Sequence, residues 1–424
     1  MLTASSSVAR ACAILALTAV IVAGPRGPSG ALAEARPADP PSAQVFDEAA
    51  RLVRFNFYDR NYKGRDWDAI SARYRTRYLA AATPAERSST INAMLGELDA
   101  SHMIHVTPDE PAYYQLSDIF SYGLRRDIPK HFPKGIAYPG IGVFTRDVGG
   151  KTFVTGVLAG LPAAKAGIVV GDEILTVDGA PFQPVRAFDD KVGTDVSMTI
   201  RRVREGPVSV MTVRPERIEP GKAFRTAMRA GARIIEAKGK RLGYIHVWSY
   251  AGEDYQRIMV EELSTGKLKD ADALIWDLRD GWGGAHPRYL DLFNVRGPDM
   301  TLIERDGDRS VASFKWRKPV ALLVNGGTRS GKEVLTYGFK KYGHGPVIGA
   351  RTAGALLAGR GFLLSDRSFL MVAVNDVTVD GERLEGTGVA PTVEVPFEIP
   401  YAAGRDPQLE KAIEILSQGE APVD

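Results

Sequence analysis

The chain has 424 residues, 44 % of them hydrophobic and 25 % charged, with a formal net charge of +3. That is the balance of an ordinary soluble globular protein with room for two or three domains, and nothing in it suggests nucleic acid as a partner. The one cysteine, Cys12, excludes a disulfide framework, so stability has to come from packing, which this length permits.

The first segment carries Arg10, a small-apolar run from Ala11 to Ala23 broken only by Thr18, a Pro/Gly break, and Ala31-Leu32-Ala33 before Glu34. This pattern predicts a secretory signal peptide over residues 1–33, cleaved near Ala33. The run of about 13 residues is shorter than the roughly 18 to 20 that cross a bilayer. The expectation is therefore a secreted or periplasmic protein with no stable membrane span after cleavage. Cys12 would leave with the signal, which excludes a thiol nucleophile.

Residues 34–136 read as a helical N-terminal region. Apolar side chains recur at three- and four-residue steps: Val45, Ala49, Leu52, Val53 and Phe57, then Tyr74, Tyr78 and Leu79, then Ile91, Met94 and Leu98. Pro108, Asp109 and Pro111 end the pattern, and a tract with Pro129, Pro133 and Pro139 leads onward.

Over residues 137–215 the period changes to that of short strands, at 141–144, 152–155, 173–177 and 196–200, with a short helix near 161–168. The order Gly140-Ile141-Gly142-Val143, then Gly160-Leu-Pro-Ala-Ala-Lys-Ala-Gly167, then Gly171-Asp-Glu-Ile-Leu-Thr-Val-Asp-Gly179 resembles a PDZ domain of the bacterial protease type. The resemblance implies that the amides of Gly140, Ile141, Gly142 and Val143 receive a peptide's terminal carboxylate while an edge strand adds the peptide to the sheet. A module that only packs or gates remains the alternative.

A linker is expected around residues 215–221, and residues 216–424 then alternate strands and helices. The runs at 242–248, 273–278 and 320–324 are nearly all apolar, as strands covered on both faces are. Helical stretches follow at 255–263, 287–293 and 331–342. The fold class is thus multi-domain α/β, with a mainly parallel sheet in the last domain.

The strand at 320–324 breaks on Asn325-Gly326-Gly327-Thr328-Arg329-Ser330 and restarts as a helix at Gly331. A serine there has free backbone N–H groups beside its oxygen, which suits a developing oxyanion. Ser330 with Glu333 reads equally well as a capping box. On these residues alone, cap and nucleophile are both open.

Three further segments carry chemistry: Leu98-Asp-Ala-Ser101-His102, Trp276-Asp-Leu-Arg279-Asp-Gly-Trp-Gly283-Gly284, and Leu384-Glu385-Gly-Thr-Gly388-Val-Ala-Pro391. With the Ser330 segment and Gly349-Ala-Arg-Thr352-Ala-Gly354, their order around the PDZ-like module resembles the C-terminal processing (tail-specific) serine peptidases, a group that includes the tricorn core. That resemblance implies a ClpP/crotonase-like catalytic domain, peptide-bond hydrolysis, and Ser330 as nucleophile. Ser/Lys members carry a lysine where this chain has Ala355. Lys332 is a poor substitute, since two helical residues rotate it by about 200° from Ser330.

The tricorn-like members use a Ser-His pair and a late glutamate, matched here by Ser101-His102 and Glu385. The resemblance thus implies His102 as general base, Ser101 as linking hydroxyl, Glu385 as orienting carboxylate, and Gly283, Gly284 and Gly331 as oxyanion donors. A neutral imidazole with an ordinary pKa of roughly 6.5 suits the role. His105 is the nearest rival, His246 reads as a core residue, and His286 as a possible substrate contact. Asp277, Arg279 and Asp280 read as ion-pair bracing of the glycine turn. The six histidines lack metal spacing, residues 376–382 lack calcium-loop spacing, and Ser330-Gly331-Lys332 runs in the wrong order for a phosphate loop, so no cofactor is expected.

The first expectation is a secreted serine endopeptidase acting on unfolded or tail-exposed polypeptides. A catalytically silent peptide-binding scaffold and a small ester or amide hydrolase are the alternatives.

Overall fold

The strands Ala273–Asp277 and Val320–Val324 are buried at every position, which only a sheet covered on both faces permits. They lie at the centre of a six-stranded sheet in the order Arg233–Ala237, Lys240–His246, Ala273–Asp277, Val320–Val324, Val347–Gly349, Val393–Glu394. The first pair is antiparallel and the other four are parallel. The computed structural model describes residues 42–418 apart from 295–297, 299, 312 and 313; the signal peptide expected over 1–33 lies outside them.

Alternation along these strands divides two cores. Leu274, Trp276, Leu322 and Val324 face a cluster with Phe224, Met228, Ile258, Met259, Leu335 and Phe339, contributed by the helices Pro220–Gly231, Glu253–Ser264 and Gly331–Lys341. Ala273, Ile275, Ala321 and Leu323 face Ala412 and Leu416 of the helix Pro407–Gln418. Apolar surface removed from water stabilises by about 25 cal/mol per Å², so both layers hold the sheet in place.

The middle module is an antiparallel sheet in the order Val143–Val148, Lys151–Val157, Glu173–Val177, Val196–Arg201, Val208–Val213. It closes on Val154, Ile174, Val177, Phe188 and Met198. Gly142, at φ 79°, has no room for a side chain, because a Cβ there would come within 2.6 Å of Leu161.

Two expectations are corrected. The stretch 215–221 is not a free linker: Glu216–Ile218 pairs with Tyr138–Gly140, so the chain enters and leaves the module side by side. Pro220 opens a helix, a position where its missing N–H costs nothing. The N-terminal region is also not wholly helical. The helices Gln44–Asn56, Trp67–Ala80 and Pro84–Gly96 are followed by a strand, Ile104–Val106, paired with Phe369–Asn375. Three residues are too few to carry a strand period against the helical pattern before them.

That strand ties the two ends of the chain together. Phe369–Asn375 also pairs with Ala358–Leu363, and Leu357, Leu370, Val372 and Ala373 share one core with Phe46, Val53, Ile91, Met94 and Leu98. The segment carrying Ser101 and His102 is therefore anchored on the C-terminal half.

Candidate active site

Ser330 sits between the end of Val320–Val324 and the helix Gly331–Lys341 at φ 56°, ψ −132°. For a residue with a Cβ this left-handed region stores strain on the order of 1–3 kcal/mol, which persists only where the surroundings enforce it. They do so through the backbone: the Ser330 amide donates to the Ala355 carbonyl at 2.8 Å and to Glu333 Oε2 at 3.2 Å. The Ser330 side chain faces the Glu333 amide in a capping-box arrangement, without a full side-chain hydrogen bond. The expected capping box is thus present, its firm bond made by Glu333, and no hydrogen bond joins the Ser330 hydroxyl to another side chain among the described residues.

Gly283 abuts this turn so closely that a Cβ on it would lie 2.5 Å from Ser330 Cβ and 3.1 Å from the Gly331 nitrogen. A Cβ on Gly331 would lie 2.4 Å from the Ala285 nitrogen. The glycines are required by close approach of two backbones. The amides of Gly283, Gly284 and Gly331 donate to no partner among the described residues, so unpaired N–H groups border Ser330, an arrangement able to stabilise negative charge on a nearby oxygen.

Across the segment 355–357 lies a hydrogen-bonded run. Ser101 Oγ donates to Glu385 Oε2 at 2.8 Å and lies 3.0 Å from His102 Nδ1. A hydroxyl has one proton, and with that proton on the carboxylate bond its lone pair accepts from Nδ1–H. The tautomer follows: His102 Nε2 is bare and basic. Glu385 is fixed by three amides, Ser101 N at 2.8 Å, Leu356 N at 2.7 Å and Leu357 N at 3.2 Å.

His102 itself has φ 56°, and its ring fits because residue 359 is glycine: a Cβ there would stand 3.1 Å from His102 Cδ2. Burial lowers the imidazole to about pKa 4, opposed by the charge of Glu385 and reinforced by that of Arg329. No hydrogen bond joins His102 to Ser330 among the described residues. The two are connected through the segment whose Ala355 carbonyl receives the Ser330 amide and whose Leu356 amide holds Glu385.

The other histidines lie elsewhere. His105 is buried between Ser88 Oγ at 2.8 Å and Ser368 Oγ at 2.9 Å. His246 stacks on Trp248 with centroids 3.8 Å apart and its Nε2 lies 2.9 Å from the Arg279 carbonyl, a core position as expected. His286 caps a short helix through Nδ1, which accepts from Arg288 N. Lys332 points away from Ser330, its buried Nζ donating to the Asp280 carbonyl at 2.8 Å.

Sequence reasoning missed Glu333 as a hub. Buried, it accepts from Thr352 Oγ1 at 2.6 Å, Gly354 N at 2.7 Å and Ala355 N at 2.8 Å as well as from Ser330, stitching the 352–355 segment to the serine turn. The cap signal pointed at it, but not at partners twenty residues away. Asp277 and Arg279 pair at 2.6 Å beside the glycine turn, with an unforeseen third member, Asp406, 2.7 Å from Arg279 Nη2; Asp280, expected to share the ion pairing, instead accepts from Asn325 Nδ2 at 3.0 Å and makes no ion pair among the described residues. Removing the cation strands Asp277, which is fully buried. Arg279→Ala is expected to cost about 3–5 kcal/mol in urea unfolding, and a loss under 1 kcal/mol would show the network to be dispensable.

A cavity of about 290 Å³ lies between the middle module and the large sheet, lined by Thr155, Val170, His246, Trp248, Arg279 and Asp280 among others; neither Ser330 nor His102 lines it. Among the described residues no cluster suits a metal ion, and no helix is long and apolar enough to cross a membrane.

Residues 241–395 match the profile of peptidase family S41, residues 42–96 that of the tricorn protease C1 domain, and residues 153–202 that of a PDZ domain. The chain is 30 % identical over 404 residues to a tricorn protease homolog (homolog 2) of Streptomyces coelicolor, covering 88 % of this chain and 32 % of that one. A carboxyl-terminal-processing protease of Synechocystis sp. is 24 % identical over 406 residues, 90 % of each chain. The solved tricorn protease superposes with a TM-score of 0.51 at 21 % identity, over 88 % of this chain and 36 % of that one, a likeness of fold. The chain thus spans about a third of the length of the Streptomyces tricorn homologs it matches.

Proposed function

Because the chain belongs to peptidase family S41, with a tricorn C1 segment and a PDZ domain ahead of its catalytic domain, we propose that it is a serine endopeptidase working through an acyl-enzyme on Ser330. His102 Nε2 takes the Ser330 proton as Oγ attacks the scissile carbonyl carbon. The amides of Gly283, Gly284 and Gly331 receive the oxyanion. The imidazolium, steadied through Ser101 by Glu385, returns the proton to the leaving amine, and water then repeats the sequence to free the acid.

One observation carries this reading: the run from Glu385 through Ser101 fixes Nδ1–H on His102 and leaves Nε2 bare, and the adjoining segment receives the amide of a serine held at positive φ. The substrates in this reading are unfolded or tail-exposed polypeptides. Val143–Val148 forms an edge of its sheet, which supports strand addition of a peptide whose terminal carboxylate meets the loop from Gly140 to Val143. Export through residues 1–33 completes the proposal and places the enzyme outside the cytoplasm.

The rival is a silent peptide-binding scaffold, favoured by the lack of a hydrogen bond between His102 and Ser330. A fluorophosphonate separates the two, because it phosphonylates only a serine whose base is within reach. The expected result is a single adduct on Ser330, located by peptide mass spectrometry and absent from His102→Ala. Folded protein that stays unlabelled would favour the scaffold.

A further inference from the structure

The buried Arg279 pairs with Asp277 and Asp406, and the half-buried Arg202 and Arg201 pair with Asp172 and Glu173. Arg329, the residue before Ser330, does not. It is half-buried, and no carboxylate oxygen lies within 4.0 Å of it among the described residues. Its Nε reaches only the Gly327 carbonyl at 3.4 Å, and its guanidinium carbon stands 5.8 Å from the centre of the Trp282 ring. Trp282 precedes Gly283 in the chain and is held by its indole N–H, which donates to Gln115 Oε1 at 2.8 Å.

A cation taken partly out of water without a counter-ion is costly, and a guanidinium stays charged rather than neutralising. Charges elsewhere in the fold relieve that cost only in part. Burial disfavours the charged form, Asp280 and Glu333 favour it from beyond contact distance, and Arg146 on the edge strand of the PDZ module disfavours it. The charge is also felt at the His102 ring. The guanidinium thus belongs to the residue next to Ser330, stands over the Trp282 ring, and has no carboxylate partner for its terminal N–H groups among the described residues.

We propose that Arg329 selects substrates with an aspartate or glutamate side chain next to the scissile bond, by pairing its guanidinium with that carboxylate. This rests on the reading of Ser330 as nucleophile. A charge-assisted pair in a partly desolvated cleft favours the acidic substrate by about 10- to 100-fold over its amide counterpart. It has a second consequence: a carboxylate that offsets the Arg329 charge removes one of the influences lowering the His102 pKa, so the acid limb of kcat lies at higher pH for acidic than for neutral peptides.

The test uses C-terminally amidated fluorescent peptides in which one Asp is stepped through an otherwise neutral sequence, each with an Asn counterpart. Binding to full-length Ser330→Ala protein is read by anisotropy. At one or two adjacent positions Asp is expected to bind about 10- to 100-fold more tightly than Asn. The preference disappears in Arg329→Gln and returns in large part in Arg329→Lys. A flat Asp/Asn ratio, or a preference that survives Arg329→Gln, overturns the proposal. Cleavage of the neutral peptides by the unsubstituted enzyme tests the nucleophile reading separately, since the binding ratios stand whether or not hydrolysis occurs.

Discussion

Ser330→Ala is expected to lower kcat on casein or a tail peptide by about 10⁴- to 10⁶-fold, because removing the nucleophile of a cooperating set leaves only the oxyanion donors and binding. Undiminished cleavage would sink the nucleophile assignment. The structure adds a stability signature that a simple helix cap would not give. A capping serine has extended backbone and loses about 1 kcal/mol on truncation to alanine. Ser330 has φ 56° and no full side-chain capping bond, so Ser330→Ala leaves the strain in place. Ser330→Gly relieves the strain, and even after glycine's greater loss of chain entropy it is expected to be about 1 kcal/mol more stable than Ser330→Ala. The opposite order in thermal unfolding would show that the turn is not strained. An inactive variant more stable than the active chain would mark residue 330 as a place where stability is given up for an exposed hydroxyl.

What the sequence revealed and hid follows from the range of each signal. The central strands were legible because burial on both faces leaves an unbroken apolar run, and the serine turn because two glycines and a helix start interrupt it. Glu385 and Ser101-His102 were found only by resemblance: their contact joins positions 284 apart in sequence, and no local pattern encodes such a pair. The strand Ile104–Val106 was missed for the same reason, being a strand only because Phe369–Asn375 lies beside it. The final helix had a local signal that went unread: Asp406 caps it through the Leu409 amide at 3.0 Å, and Pro407 follows. Glu333 was read as a cap and is the hub of four hydrogen bonds, since only folding brings residues 352–355 to it.

The acid limb of kcat/KM is expected near pH 4, not near the ordinary histidine value of about 6.5, because burial holds His102 neutral down to about 4. Glu385→Gln removes the charge that opposes this lowering, so the limb moves to still lower pH, while kcat at pH 7 falls by about 10²- to 10⁴-fold as the imidazolium loses its partner. A limb at pH 6 to 7, or an upward shift in Glu385→Gln, would contradict the base assignment. The same lowering has a stability consequence of determinate sign. Between pH 6.5 and 4 the unfolded chain binds more protons at this histidine than the folded one, so stability is full above 6.5 and falls as pH drops toward 4. His105, held to about 4 chiefly by burial, adds a second contribution in the same window. The two are separable because only one of them faces the chemistry. In His105→Gln the acid-induced loss of stability shrinks while the limb of kcat/KM stays near pH 4, whereas a limb that moved with His105 would transfer the role of base to it.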